Sequence, residues 1–186
     1  MLEYKSEKQS GFTIPELMIG IAIVGTLTTI ALPQINDFTV SLRVDSEISE
    51  LNRLLLTARN GAINSGNNVI VCPLSPRCSA NWQNEVSVFI DNNNDGDYDV
   101  NDTIIRVKAA ISSNDRLQYG QNSLIYTPSG ILSATPVATP FSYCPGENAD
   151  KSRGIVVSAS GRSYITADSD NDGKDQDRNN NLITCT

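Results

Sequence analysis

Gly11-Phe12-Thr13-Ile14-Pro15-Glu16-Leu17 opens an apolar run that continues to Leu32, and the reading of this stretch decides how the rest of the chain is read. The uncharged part, Leu17 to Leu32, is shorter than the roughly 20 residues a helix needs to span a bilayer. Counted back through Glu16 to Phe12, it reaches that length. Glu16 is then a lone acid in a hydrophobic segment. Burying it costs on the order of a few kcal/mol unless a cation meets it, which marks it as a functional residue. Pro15 is acceptable here, because the first N–H groups of a helix have no intrahelical partner.

The leader, Met1 to Ser10, is polar and carries Glu3, Lys5, Glu7 and Lys8. An ordinary secretory signal places its small-residue cleavage site after the apolar region. Here the small residue at a plausible cut, Gly11, comes before it. Cleavage after Gly11 keeps the helix on the mature chain and makes Phe12 its N-terminus.

Gly11-Phe12-Thr13 with Glu16 resembles the class III signal of type IV pilins and pseudopilins. The resemblance implies cleavage between Gly11 and Phe12 by a prepilin peptidase and N-methylation of Phe12. It also implies that Glu16 pairs with the N-terminal amine of a neighbouring subunit during assembly. Pro15 departs from the Leu-Ile or Leu-Val commoner in the family. Pro33 ends the run, where a proline removes a helical hydrogen bond and loosens the turn before it. By resemblance it implies local melting on packing into a filament, and it equally marks a membrane–water boundary.

Beyond Pro33 the pattern becomes amphipathic. Ile35, Phe38, Leu42, Ile48, Leu51, Leu55, Ala58 and Ala62 recur at threes and fours, with a break near Asp45. Read as one stripe facing a core, they predict a single helix from about Phe12 to Asn64, roughly 80 Å long, ending at Ser65-Gly66-Asn67. The periodicity then shifts to short β-branched runs: Val69–Cys72, Val86–Ile90, Thr103–Val107, Leu124–Thr127, Gly154–Ser158, Ser163–Thr166 and Leu182–Thr184. Gly, Pro, Asn and Asp turns separate them. One helix followed by strands predicts an α+β fold, with an antiparallel sheet covering the helix stripe. The organisation expected is a leader over residues 1–11, a transmembrane and filament-core helix over 12–34, and a periplasmic domain over 35–186. That domain divides into an amphipathic helix, 35–64, and a β-domain, 65–186.

Within the family the chain resembles the GspH/FimT/FimU group of minor pilins and pseudopilins. Trp82 precedes a strand ending Phe89-Ile90-Asp91. An Asp/Asn-rich turn closes at Asp102 before Thr103-Ile104-Ile105-Arg106. Gly154-Ile155-Val156-Val157 leads into Ser160-Gly161-Arg162.

The chain contains no histidine, which removes the commonest general base and zinc ligand. No nucleophile elbow or phosphate-cradling loop occurs, and no enzymatic activity is expected. The net charge of −7 argues against general nucleic-acid affinity. Four cysteines, none in a C-x-x-C pair, suggest two disulfides in a translocated domain. Three pairings are open. The favoured one is Cys72–Cys78, around two prolines, with Cys144–Cys185 tying down the C-terminus; four buried thiols are the alternative.

Asp91 to Asp102 looks like an EF-hand loop, with Asp91, Asn93, Asp95, Asp97, Asp99 and Asp102 as candidate calcium ligands and Gly96 at the sharp turn. It departs from that loop in ending on Asp rather than Glu and in being flanked by strands. Asp168-Ser169-Asp170-Asn171-Asp172-Gly173 repeats its first half. A solvated hairpin turn accounts for the same residues. Gly161-Arg162-Ser163-Tyr164 matches half of the Gly-Arg-x-Arg motif of DNA-binding relatives, leaving Arg162 as the candidate DNA contact.

The sequence reads as a minor pilin that helps to start assembly of a type IV pilus, near its tip, in support of adhesion, twitching motility or DNA uptake. Its expected partners are other minor and major pilins, the prepilin peptidase, the inner membrane and the pilus assembly platform. It is expected in the inner membrane with a periplasmic domain, then in the pilus at the cell surface. A DNA receptor for transformation and a type II secretion pseudopilin are the alternatives.

Overall fold

A computed structural model describes residues 11–133 and 140–185, with side chains for all of these but 30–34. The leader residues 1–10 and the side chain of Pro33 therefore lie outside the described residues. The chain divides into two units, Met1–Thr39 and Val40–Thr186.

Helix α1 runs Ile14–Ser65. Thr13 and Glu16 make its start: Glu16 Oε2 accepts from the Thr13 N–H and hydroxyl, each at 3.4 Å, in the Thr-x-x-Glu pattern of a capping box. Gly66 ends it in the left-handed region at φ 69°, with its N–H on Ala62 O at 3.0 Å.

In the second unit the helix contributes Val40, Val44, Ile48, Leu51, Leu54, Leu55, Ala58 and Ala62 to the core, each no more than 1% exposed. Each fully buried Leu or Ile contributes about 1.5–3 kcal/mol. The sequence-derived stripe needs correcting at its beginning. Ile35, Phe38 and Leu42 are 58%, 64% and 52% exposed. The core face is set by Val40 and Val44, and Leu42 falls nearly opposite Val40 at 100° per residue.

Two four-stranded sheets, antiparallel throughout, follow the helix in place of the single sheet expected. The first has the order β3-β2-β1-β5, with β1 Asn68–Pro73, β2 Val86–Asp91, β3 Thr103–Lys108 and β5 Leu124–Tyr126. The second has the order β4-β6-β7-β8, with β4 Arg116–Gln118, β6 Phe141–Cys144, β7 Arg153–Val157 and β8 Ser163–Ile165. Leu182, expected in a last strand, makes only an isolated bridge to Gln176.

Strand alternation sorts β1 into two faces. Val69 and Val71 join the main core with the helix, while Ile70 and Cys72 join Phe89 in a smaller cluster on the other side. Tyr98 and Cys78 pack on that smaller cluster. In the main core, Trp82 is fully buried and donates Nε1–H to Gln121 O at 2.8 Å. Its ring meets those of Tyr119 and Phe141 edge-on, at 5.3 and 5.0 Å.

Several charged groups of the domain are paired. Asp115, 1% exposed, accepts from Tyr143 Oη at 2.6 Å and Gly146 N at 3.0 Å, and pairs with Arg43 Nε at 2.9 Å. Lys108 Nζ, on β3, meets Glu47 of the helix at 2.5 Å. Arg153 of β7 joins Asp45 of the helix to Asp175, the latter at 3.0 Å. Disulfides join Cys72 to Cys78 and Cys144 to Cys185.

Candidate functional site

The first unit is a helix with its apolar side chains uncovered. Phe12 is 85% exposed, Ile14 77%, Met18 66%, Ile21 64% and Leu27 61%. Among the described residues none covers them, and burying apolar area of this extent against lipid or another protein is favourable. Glu16 lies on this surface beside Phe12, Leu17 and Gly20, which line one shallow groove. Its described partner is the Thr13 cap. Among the described residues no helix is long and apolar enough to cross a membrane. The apolar run in the sequence continues into residues 30–32, whose side chains are not described.

The loop between β2 and β3 is built on Asp91. This residue ends β2 and is 1% exposed, so its carboxylate is held inside the fold. Oδ2 accepts the Gly96 N–H at 3.0 Å, which turns the carboxylate into the loop. Oδ1 is buried and has no hydrogen-bond partner. A buried acceptor left in this state costs on the order of 1–3 kcal/mol, and more if charged.

The other candidate ligands divide into three kinds. Asp95 and Asp99 converge: Asn93 Nδ2 lies 2.8 Å from Asp95 Oδ2 and 3.1 Å from Asp99 Oδ2. Asp102 is committed to the loop itself, Oδ1 to Asn92 N at 3.0 Å and Oδ2 to Asp99 N at 2.9 Å. Asp97 lies 3.9 Å from Arg77. Asn94 at φ 58° and Gly96 at φ 84° supply the left-handed turns.

Asp168–Gly173 repeats the construction. Gly173 N donates to Asp168 Oδ2 at 2.9 Å, and Asp168 Oδ1 is again buried without a partner. Ligand oxygens of Asp168, Asp170 and Asp172 lie within 4.8 Å of one another. Hydrogen bonds, first that from Gln176, hold the Asp170 carboxyl below the usual range. Sequence reasoning saw the spacing of both loops. It missed that the first aspartate of each is buried on one oxygen.

Arg162 is exposed in the turn between β7 and β8. Its N–H donates to Ser158 Oγ at 3.2 Å. Tyr164, where DNA-binding relatives carry a second arginine, lies under the Arg178 guanidinium at 4.1 Å from ring centre.

An uncovered N-terminal helix leading into an α+β domain with paired disulfides is the architecture of a pilin or pseudopilin. The family model described as type II transport protein GspH matches residues 47–161, and the prokaryotic N-terminal methylation motif matches residues 7–32. The chain belongs to the GspH family. A Pseudomonas aeruginosa fimbrial protein is 44% identical over 62 residues, 33% of this chain and 40% of its own length. A probable minor fimbrial protein of Dichelobacter nodosus is 38% identical over 77 residues, 39% of this chain and 47% of its own. The chain thus spans less than half the length of these curated relatives. The crystal structure of the type IV minor pilin FimU of Pseudomonas aeruginosa matches with a TM-score of 0.54 at 20% identity, covering 70% of this chain and 92% of that one. That likeness is one of fold.

Proposed function

We propose that this chain is a minor pilin of a type IV pilus that takes part in starting filament assembly and sits near the tip. The observation that carries the reading is the uncovered apolar surface from Phe12 to Leu27. Helices of neighbouring subunits bury that surface against one another, after the inner membrane has covered it. Glu16 pairs with the N-terminal amine of a neighbour in low dielectric, where a carboxylate is stable only with a cation. The methylation motif over residues 7–32 supports maturation by a prepilin peptidase, with cleavage after Gly11 and methylation of Phe12. Other minor and major pilins and the assembly platform are the partners in this reading, the periplasm and then the cell surface its location. The role is packing, without turnover.

The test uses Glu16→Ala in the full chain. The variant is expected to insert in the membrane at wild-type levels yet be missing from sheared filaments, and the extracted wild-type protein to begin at Phe12. Incorporation of the variant at wild-type levels overturns the pairing role, and a different mature N-terminus overturns the maturation step.

The description of the matched family favours a second reading, a minor pseudopilin of type II secretion. Deleting the gene separates the two: loss of surface filaments supports the pilin, loss of protein secretion with filaments intact supports the pseudopilin. The DNA-receptor reading rests on the exposed Arg162 of the half-matched motif, on a chain of net charge −7.

A further inference from the structure

We propose that the loop between β2 and β3 is a calcium site, with Asp91, Asn93, Asp95 and Asp99 as side-chain ligands and Asp102 as the residue that shapes the loop. The buried Oδ1 of Asp91 is the anchor. It is shut off from water and has no donor, while Oδ2 of the same carboxylate already faces the loop through Gly96. Native folds pair such atoms with protein, water or an ion, and each exception calls for a cause. A divalent cation supplies one.

Two further carboxylates of the loop, Asp95 and Asp99, come together at Asn93. The Asn93 amide nitrogen stands between the carboxylates of Asp95 and Asp99, at 2.8 and 3.1 Å. With a cation in that place, Asn93 turns its carbonyl oxygen inward, and the amide becomes a ligand. These side chains, the Asp97 carbonyl and water approach the roughly six to eight oxygens calcium takes on a bendable loop. Magnesium, which demands a tighter octahedron and keeps its water, fits less well.

Asp102 plays a different part from the last residue of an EF-hand. Both of its oxygens accept backbone N–H groups, of Asn92 and Asp99, so it fixes the loop's two ends, whereas Asp95 and Asp99 each give one oxygen to a backbone N–H and turn the other to Asn93. Tyr98 pins the loop to the domain, its ring edge-on to Phe89 at 5.1 Å, in the cluster that also holds Cys72 and Cys78. Calcium binding therefore stiffens the β2–β3 hairpin on the face away from the helix.

The experiment takes the full chain in detergent, strips it with chelator and titrates it with calcium chloride. Tm is expected to rise with calcium and to stay unchanged with magnesium at the same concentrations. Terbium in place of calcium should luminesce through Tyr98, and Tyr98→Phe should remove that signal. Asp95→Asn changes an exposed residue that the core does not need, and is expected to weaken calcium binding at least about tenfold by removing a charged ligand. Asp91→Asn should do the same while keeping the Gly96 hydrogen bond. No calcium-dependent shift with no terbium signal overturns the proposal, as does an equal response to magnesium. Calcium binding that survives Asp95→Asn but is lost in Asp170→Asn also overturns it, and assigns the cation to the C-terminal loop.

Discussion

Gly161 lies against Gly130 so closely that a β-carbon on Gly161 would come within 2.0 Å of the Gly130 carbonyl oxygen. Gly161 also sits in the left-handed region, at φ 73°. The contact joins the turn after β7, in one sheet, to the turn after β5, in the other. Leu132 N donates to Ala159 O at 3.1 Å beside it.

Gly161→Ala is therefore expected to destabilise the domain by about 3 kcal/mol or more, from backbone strain and overpacking together. Arg162→Ala, one residue on and exposed, should stay within about 0.5 kcal/mol of wild type. Denaturant unfolding of the two variants makes the comparison. A gel-shift assay on the same Arg162→Ala protein asks separately whether the arginine contacts DNA, with loss of a salt-sensitive shift as the positive result.

Stability should fall steeply in alkali. Burial raises the phenols of Tyr119, Tyr126 and Tyr143, and at Tyr143 the hydrogen bond to Asp115 raises it further. In the unfolded chain each phenol ionises near pH 10. Above that pH the unfolded state has lost protons that the folded state retains, so the unfolding free energy decreases as pH rises. Stability from these groups is complete below about pH 10 and is lost above it. Urea midpoints measured between neutral pH and pH 11 should show the decline, and Tyr143→Phe should flatten it while lowering stability at neutral pH by about 1–3 kcal/mol.

The two disulfides should differ in worth. Cys144–Cys185 closes a separation of 41 residues and Cys72–Cys78 one of 6. On the chain-entropy argument the longer loop restrains the unfolded state by about 4 kcal/mol and the shorter by about 2. Double Cys→Ser replacement of each pair, with thermal melts, should rank them in that order.

The helix was legible because a 3.6-residue period sustained over many turns fits no strand or loop. Strands β1, β2, β3, β5, β7 and β8 were legible as short apolar runs between turns. What escaped had weak local signals. Strand β4 has three residues and one apolar side chain, Leu117. Strand β6, Phe141-Ser142-Tyr143-Cys144, does alternate, but it stands between Pro140 and Pro145 and reads as a turn until Ile155 pairs with Phe141. The early helix stripe failed for another reason. Ile35, Phe38 and Leu42 also fall at threes and fours, so spacing alone could not say which of two apolar faces meets the domain. In the loop, the sequence located the acids. The burial of Asp91 depends on β2 entering a sheet whose two faces are both covered, and no residue near Asp91 records that.

Arg59 of the helix donates Nε–H to the Gly130 carbonyl at 2.9 Å and an Nη2 hydrogen to Ser160 O at 3.2 Å. A single guanidinium thus takes hold of both turns at the point where Gly161 brings them together. With the ion pairs Lys108–Glu47 and Arg153–Asp45, it gives the helix a grip on both sheets at once, so a pull along this part of the helix would be shared between them.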